Sequence, residues 1–115
     1  NPEKYIGYLA ENESNKDNWF LDIRGDDVAL PEIVKKLDNN VIDLFHYDSD
    51  KSYSGRANAL KILSSKINSK TIIIFDDIQN NFHFKDFVTK GRKNFSVYEF
   101  EGKFIGITGL DNFQI

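Results

Sequence analysis

At 115 residues the chain has the length of one domain. Its 40% hydrophobic and 29% charged residues make a globular composition, which sets intrinsic disorder aside. The net charge of −3, with lysines dispersed, offers no basic stripe to nucleic acid or an anionic membrane, and zero cysteines exclude disulfides and thiolate metal sites. No apolar run approaches the roughly 18 residues of a membrane span and no signal-like segment opens the chain, so a cytoplasmic protein is expected. The lack of any methionine, the first residue included, suggests a processed or partial chain.

Asn1-Pro2-Glu3 reads as a helix start, with Tyr5, Tyr8 and Leu9 on one face; a short strand over 5–9 is the alternative. Residues 12–18 are polar and read as a loop. The stretch 19–23, WFLDI, has strand content and stops at Arg24-Gly25-Asp26-Asp27, a turn. Leu30, Ile33, Val34 and Leu37 fall at the i, i+3, i+4, i+7 spacing of a helix face. Pro31 is expected in the first turn of that helix, where its missing N–H costs nothing.

The stretch 41–53, VIDLFHYDSDKSY, organises the chain. Its apolar run ends abruptly in Asp48-Ser49-Asp50-Lys51. Ser54 is then placed to cap a helix with Ala59, Leu60, Leu63 and Ile67 on its apolar face. A second run, residues 71–75, ends in Asp76-Asp77; its four consecutive apolar residues suit a parallel strand covered on both faces. Residues 82–88 read as a short helix, and 95–100 with 104–108 flank Glu101-Gly102 as a hairpin. The expected fold is a single α/β domain over 1–115, three-layered, with a mostly parallel sheet and a C-terminal antiparallel hairpin. Ligands of such sheets lie beyond the carboxyl ends of the strands, where the acids are.

This succession resembles the second half of a class I S-adenosylmethionine-dependent methyltransferase, a Rossmann-like domain. GDDVALPEIVKKL is similar to that family's Gly-Asp turn and Leu-Pro helix. HYDSDKSY combines features of its (H)xDGDHSY motif and of the DADK of its cation-dependent O-methyltransferases, IIIFDD resembles its FDD strand end, and GKFIGITG its closing hairpin. The match runs over about residues 19–110. The family's glycine-rich G-x-G loop and ribose-binding acid have no counterpart here, so the resemblance implies a truncated domain with half a cofactor cradle, doubtful activity on its own, and an open sheet edge that invites self-association.

The resemblance implies S-adenosylmethionine as cofactor, bound near Asp26, Asp27 and Asp48, and methyl transfer to an oxygen of a small-molecule acceptor. It implies Mg2+ or another divalent cation on Asp48, Asp76 and Asp77, whose clustered carboxylates are hard ligands for such an ion. Lys51 and Asp48 are the expected catalytic pair. A lysine among carboxylates is a poor base unless a cation reverses the local electrostatics, so Lys51 as base requires the metal. Bland readings stand beside these. Acids at strand ends cap turns and helices, Lys51 neutralises Asp48 and Asp50, His46 is a core histidine, and Trp19 and Tyr53 are core aromatics. Two other functions compete. Asp48-Ser49-Asp50 is the D-x-D of a metal-dependent glycosyltransferase, and a truncated α/β module can serve as a non-catalytic interaction domain. A phosphoacceptor receiver has its acid pair first and its lysine last, the reverse of the order here.

Overall fold

The computed structural model describes residues 16–91 and 94–112. The expected helix or strand within residues 1–9 lies outside them. Apolar spacing and chain-breaking residues set the elements in the order α1 (Asp26–Leu37), β1 (Leu44–Tyr47), α2 (Tyr53–Ile62), β2 (Ile72–Phe75), α3 (His83–Lys90), β3 (Phe95–Phe100) and β4 (Lys103–Thr108). The strands form one mixed sheet in the order β1-β2-β4-β3. Only β1 and β2 are parallel, and β4 runs antiparallel to both its neighbours. The mostly parallel sheet expected from the sequence is therefore corrected: one of three pairings is parallel. The reason is the hairpin, whose turn residues Glu101 and Gly102 both take positive φ (52° and 78°) and fold β4 back between β2 and β3.

Residues 19–23 are not a strand. Trp19, Phe20, Leu21 and Ile23 are exposed, and the Lys36 ammonium sits 3.7 Å from the Phe20 ring centroid. Strand propensity did not suffice where no described strand lies alongside to pair with. The helix after them begins earlier than its apolar stripe suggests. It starts at Asp26 behind Gly25, whose carbonyl accepts from the N–H groups of Val28 (3.0 Å) and Ala29 (2.9 Å). Pro31 consequently lies inside α1, not in its first turn, and supplies no N–H to the Asp27 carbonyl. The cap of α2 is Ser52, not Ser54: its hydroxyl accepts from the Gly55 N–H at 3.0 Å. α2 stops at Ile62, and a 3-10 turn over Ser64–Lys66 replaces the expected last helical turn.

Alternation along the strands separates two faces. Tyr47, Ile73 and Phe75 share one face and join Leu30 of α1, Ala59 of α2, Leu63, and Phe84 and Val88 of α3 in one core. All three helices thus cover the same side. Leu44, Ile72, Ile74, Ile105, Ile107, Tyr98 and Phe100 point to the other side by register, and no described α-helix packs on it. Among the described residues the fold is a two-layer α/β sandwich, where three layers were expected. No described helix is long and apolar enough to cross a membrane.

Candidate functional site

The parallel register decides where the acids meet. Tyr47 pairs with Phe75, and the Asp76 N–H donates to the Tyr47 carbonyl at 3.0 Å. The residues that follow the two strands therefore emerge side by side at one end of the sheet. One carboxylate oxygen from each of Asp48, Asp76 and Asp77 lies within 4.8 Å of the other two. The Lys51 ammonium joins them, hydrogen-bonded to Asp48 and 3.2 Å from Asp77 Oδ2. The structure thus assembles the four expected residues of the catalytic and metal groups, with Lys51 serving the acids as counter-ion.

Their electrostatics follow from that pairing. The Lys51 hydrogen bond holds the Asp48 and Asp77 carboxyls below the usual carboxylate range. Burial pushes the Lys51 ammonium down, but Asp48 and Asp77 together outweigh it and leave its pKa raised. Without a cation Lys51 is a proton holder, not a base. Each of these carboxyls titrates lower folded than unfolded. The stability they contribute is complete above the ordinary carboxylate pKa of about 4 and is lost as pH falls through the lowered values. Replacing Lys51 by Met is accordingly expected to flatten the acid limb of the stability curve. Urea unfolding between about pH 5 and pH 2 measures it; identical limbs in both proteins would show that Lys51 contributes nothing there.

Asp50 belongs to the loop instead. Its Oδ1 accepts from the Ser52 N–H at 2.9 Å, and its carbonyl accepts from the Tyr47 hydroxyl at 2.8 Å. A Cβ on Gly55 would lie 2.4 Å from Asp50 Cγ, so glycine lets α2 start against this carboxylate. Asp48 and Asp50 are therefore separated in role: Asp50 is not part of the three-acid group.

Asp26 and Asp27 open α1, where acids favour the positive end of the helix dipole, and Asp27 Oδ1 accepts from Asn58 Nδ2 at 3.0 Å. Neither caps the helix; Gly25 does. Together with Ser49, Asp50 and Asn58 they line a cleft of about 490 Å³. Asp48 is one residue away from that lining and faces the acid group. His46 is exposed, contrary to the core position expected of it, because its register puts it on the face that no described helix covers. Tyr53 is 40% exposed and donates its hydroxyl to Asp86 at 2.6 Å.

Three residues at the site went unread in the sequence. Arg56 is buried, and its guanidinium donates to the carbonyls of Lys51 (3.3 Å), Asp76 (2.7 Å) and Asp77 (3.1 Å). Asn81 donates to the same Lys51 carbonyl at 2.8 Å and accepts from the His83 N–H at 3.0 Å. His83 is buried beside Phe75, and burial lowers its pKa. A signal for Arg56 was present: it occupies position i of the stripe Arg56, Ala59, Leu60 and Leu63, a charge on an apolar helix face. The chain matches no family model, no curated protein and no solved structure.

Proposed function

We propose that the chain is the acid-bearing half of an S-adenosylmethionine-dependent methyltransferase domain that methylates an oxygen of a small molecule. The observation that carries this reading is the convergence of Asp48, Asp76 and Asp77 around the Lys51 ammonium at the carboxyl ends of the parallel strands. The donor set suits a hard divalent cation such as Mg2+: three carboxylate oxygens, close enough to share one ion and already in need of a counter-charge. A cation there would displace the Lys51 ammonium and, by its charge, lower the lysine's pKa, so that Lys51 would release its proton to solvent and, as the neutral amine, take one from an acceptor hydroxyl. The cleft beside Asp26 and Asp27 offers carboxylates to an adenine amino group, and its volume is within the range of small-molecule sites. S-adenosylmethionine, when bound, supplies an electrophilic methyl group; the protein's part is to align the acceptor and hold its proton. The D-x-D reading loses support because Asp50 is committed to Ser52.

Asp77→Asn is the informative substitution. Asp77 has φ 52°, a left-handed conformation that asparagine tolerates, so the turn survives while one charge is removed. Loss of a direct ligand is expected to weaken Mg2+ binding by at least the roughly 10–100-fold that loss of a supporting group costs. Calorimetric Mg2+ titration of the two proteins reads this, and equal affinities would exclude Asp77 as a ligand.

One observation favours a second reading, an interaction module. The sheet face carrying Leu44, Tyr98 and Phe100 (55%, 54% and 71% exposed) has no described helix over it, and β1 and β3 are the edges of the described sheet. Self-association through this surface is the expected outcome. Light scattering up to high concentration tests it, and a monomer throughout would remove the reading.

A further inference from the structure

We propose that Arg56 is the positioning residue of the acidic site: its guanidinium ties the loop carrying Lys51 to the turn carrying Asp76 and Asp77, and so sets the ammonium between Asp48 and Asp77. The inference rests on reading that acid group as the site.

Arg56 is 1% exposed, and arginine is almost never so buried unless paired. Its guanidinium donates not to a carboxylate but to main-chain carbonyls, one before α2 and two after β2. These carbonyls belong to Lys51, Asp76 and Asp77, three of the four residues that meet at the site. The guanidinium lies 5.5 Å from the Tyr47 ring, and Nη1 has no partner among the described residues. Core stability alone does not account for such a side chain. Methionine or leucine on the same helix face would fill the space without the desolvation cost of a buried charge. What an apolar residue cannot do is hold two loops at a fixed separation. The need is specific here, because the Asp77 backbone is left-handed and Lys51 lies in a loop between β1 and α2. Asn81 adds a second strap to the same Lys51 carbonyl. Arg56 acts on the acids through Lys51 and the turn.

Arg56→Lys keeps the charge and loses the fork. In the metal-free variant, the nuclear Overhauser contacts between the Lys51 side chain and Asp77 are expected to disappear. Amide exchange at Asp77 should rise roughly tenfold or more, the value of one charge-assisted hydrogen bond, while the Ile73 amide in the sheet stays protected. Leu63→Ala, a core substitution away from the site, should lower stability and leave the Lys51–Asp77 contacts intact. Contacts that persist in Arg56→Lys, or vanish equally in Leu63→Ala, would overturn the proposal. Should Arg56→Lys not fold, the wild type decides. Slowly exchanging Arg56 guanidinium N–H signals support the tie, and fast exchange refutes it. Mg2+ and S-adenosylhomocysteine binding by the wild type tests the reading of the site separately, since none of these signals needs a ligand.

Discussion

Phe75→Ala is expected to lower the free energy of unfolding by about 3–5 kcal/mol, the cost of truncating a fully buried aromatic. Phe75 is 0% exposed and ends β2 at the centre of the core. Its ring meets those of His83 and Phe87 at 5.5 Å, Phe84 at 5.8 Å and Tyr47 at 6.2 Å, so a single side chain joins α3 to β1. The neighbours cannot close the space by sliding, because Phe84 already packs against Gly106, where an added Cβ would lie 2.6 Å from its ring. Domains of this kind have about 5–15 kcal/mol in total, so much of the population would unfold under mild denaturant. The urea midpoint is the measurement. A loss below about 1 kcal/mol would mean the core is not organised around this ring.

Gly109→Ala should cost about 2–4 kcal/mol, from backbone strain and a main-chain clash together. Gly109 has φ +87°, and its Cβ would lie 2.6 Å from the Thr71 carbonyl oxygen and 3.2 Å from Ile72 Cα. Thr71 cannot yield, because it is fully buried and its hydroxyl donates to the Ile42 carbonyl at 2.7 Å. Gly91→Ala is the control. Nothing lies within 4 Å of its Cβ position and its φ is −150°, so it should be close to neutral. Equal midpoints for the two variants would contradict this account of the chain after β4.

Periodicity and punctuation made much of this fold legible. The stripe Leu30, Ile33, Val34 and Leu37 gave α1, the run at Ile72–Phe75 gave β2, and Glu101-Gly102 gave the hairpin. The acids were readable because each follows an apolar strand, and the parallel pairing of those strands then brings them together. Other features depend on partners that local sequence does not name. WFLDI has the composition of a strand, yet no described strand pairs with it. His46 alternates correctly with Tyr47, but which of the two faces the helices depends on where α1, α2 and α3 pack. Ser52 rather than Ser54 caps α2 because Asp50 and Gly55 fix the turn two residues earlier. The four consecutive apolar residues of β2 fit a strand covered on both sides, and among the described residues only one side carries helices.

Lys51 is the counter-ion of Asp48 and Asp77, and under the proposed function a divalent cation would take its place. Calorimetric titration of the protein with S-adenosylhomocysteine, with and without Mg2+, tests that function. Binding that Mg2+ strengthens is the expected result, since a cation on Asp48, Asp76 and Asp77 would release Lys51 beside the cleft of Asp26 and Asp27. No heat of binding under either condition would contradict it, and would leave the acids as an ion-paired turn at the end of an α/β sheet.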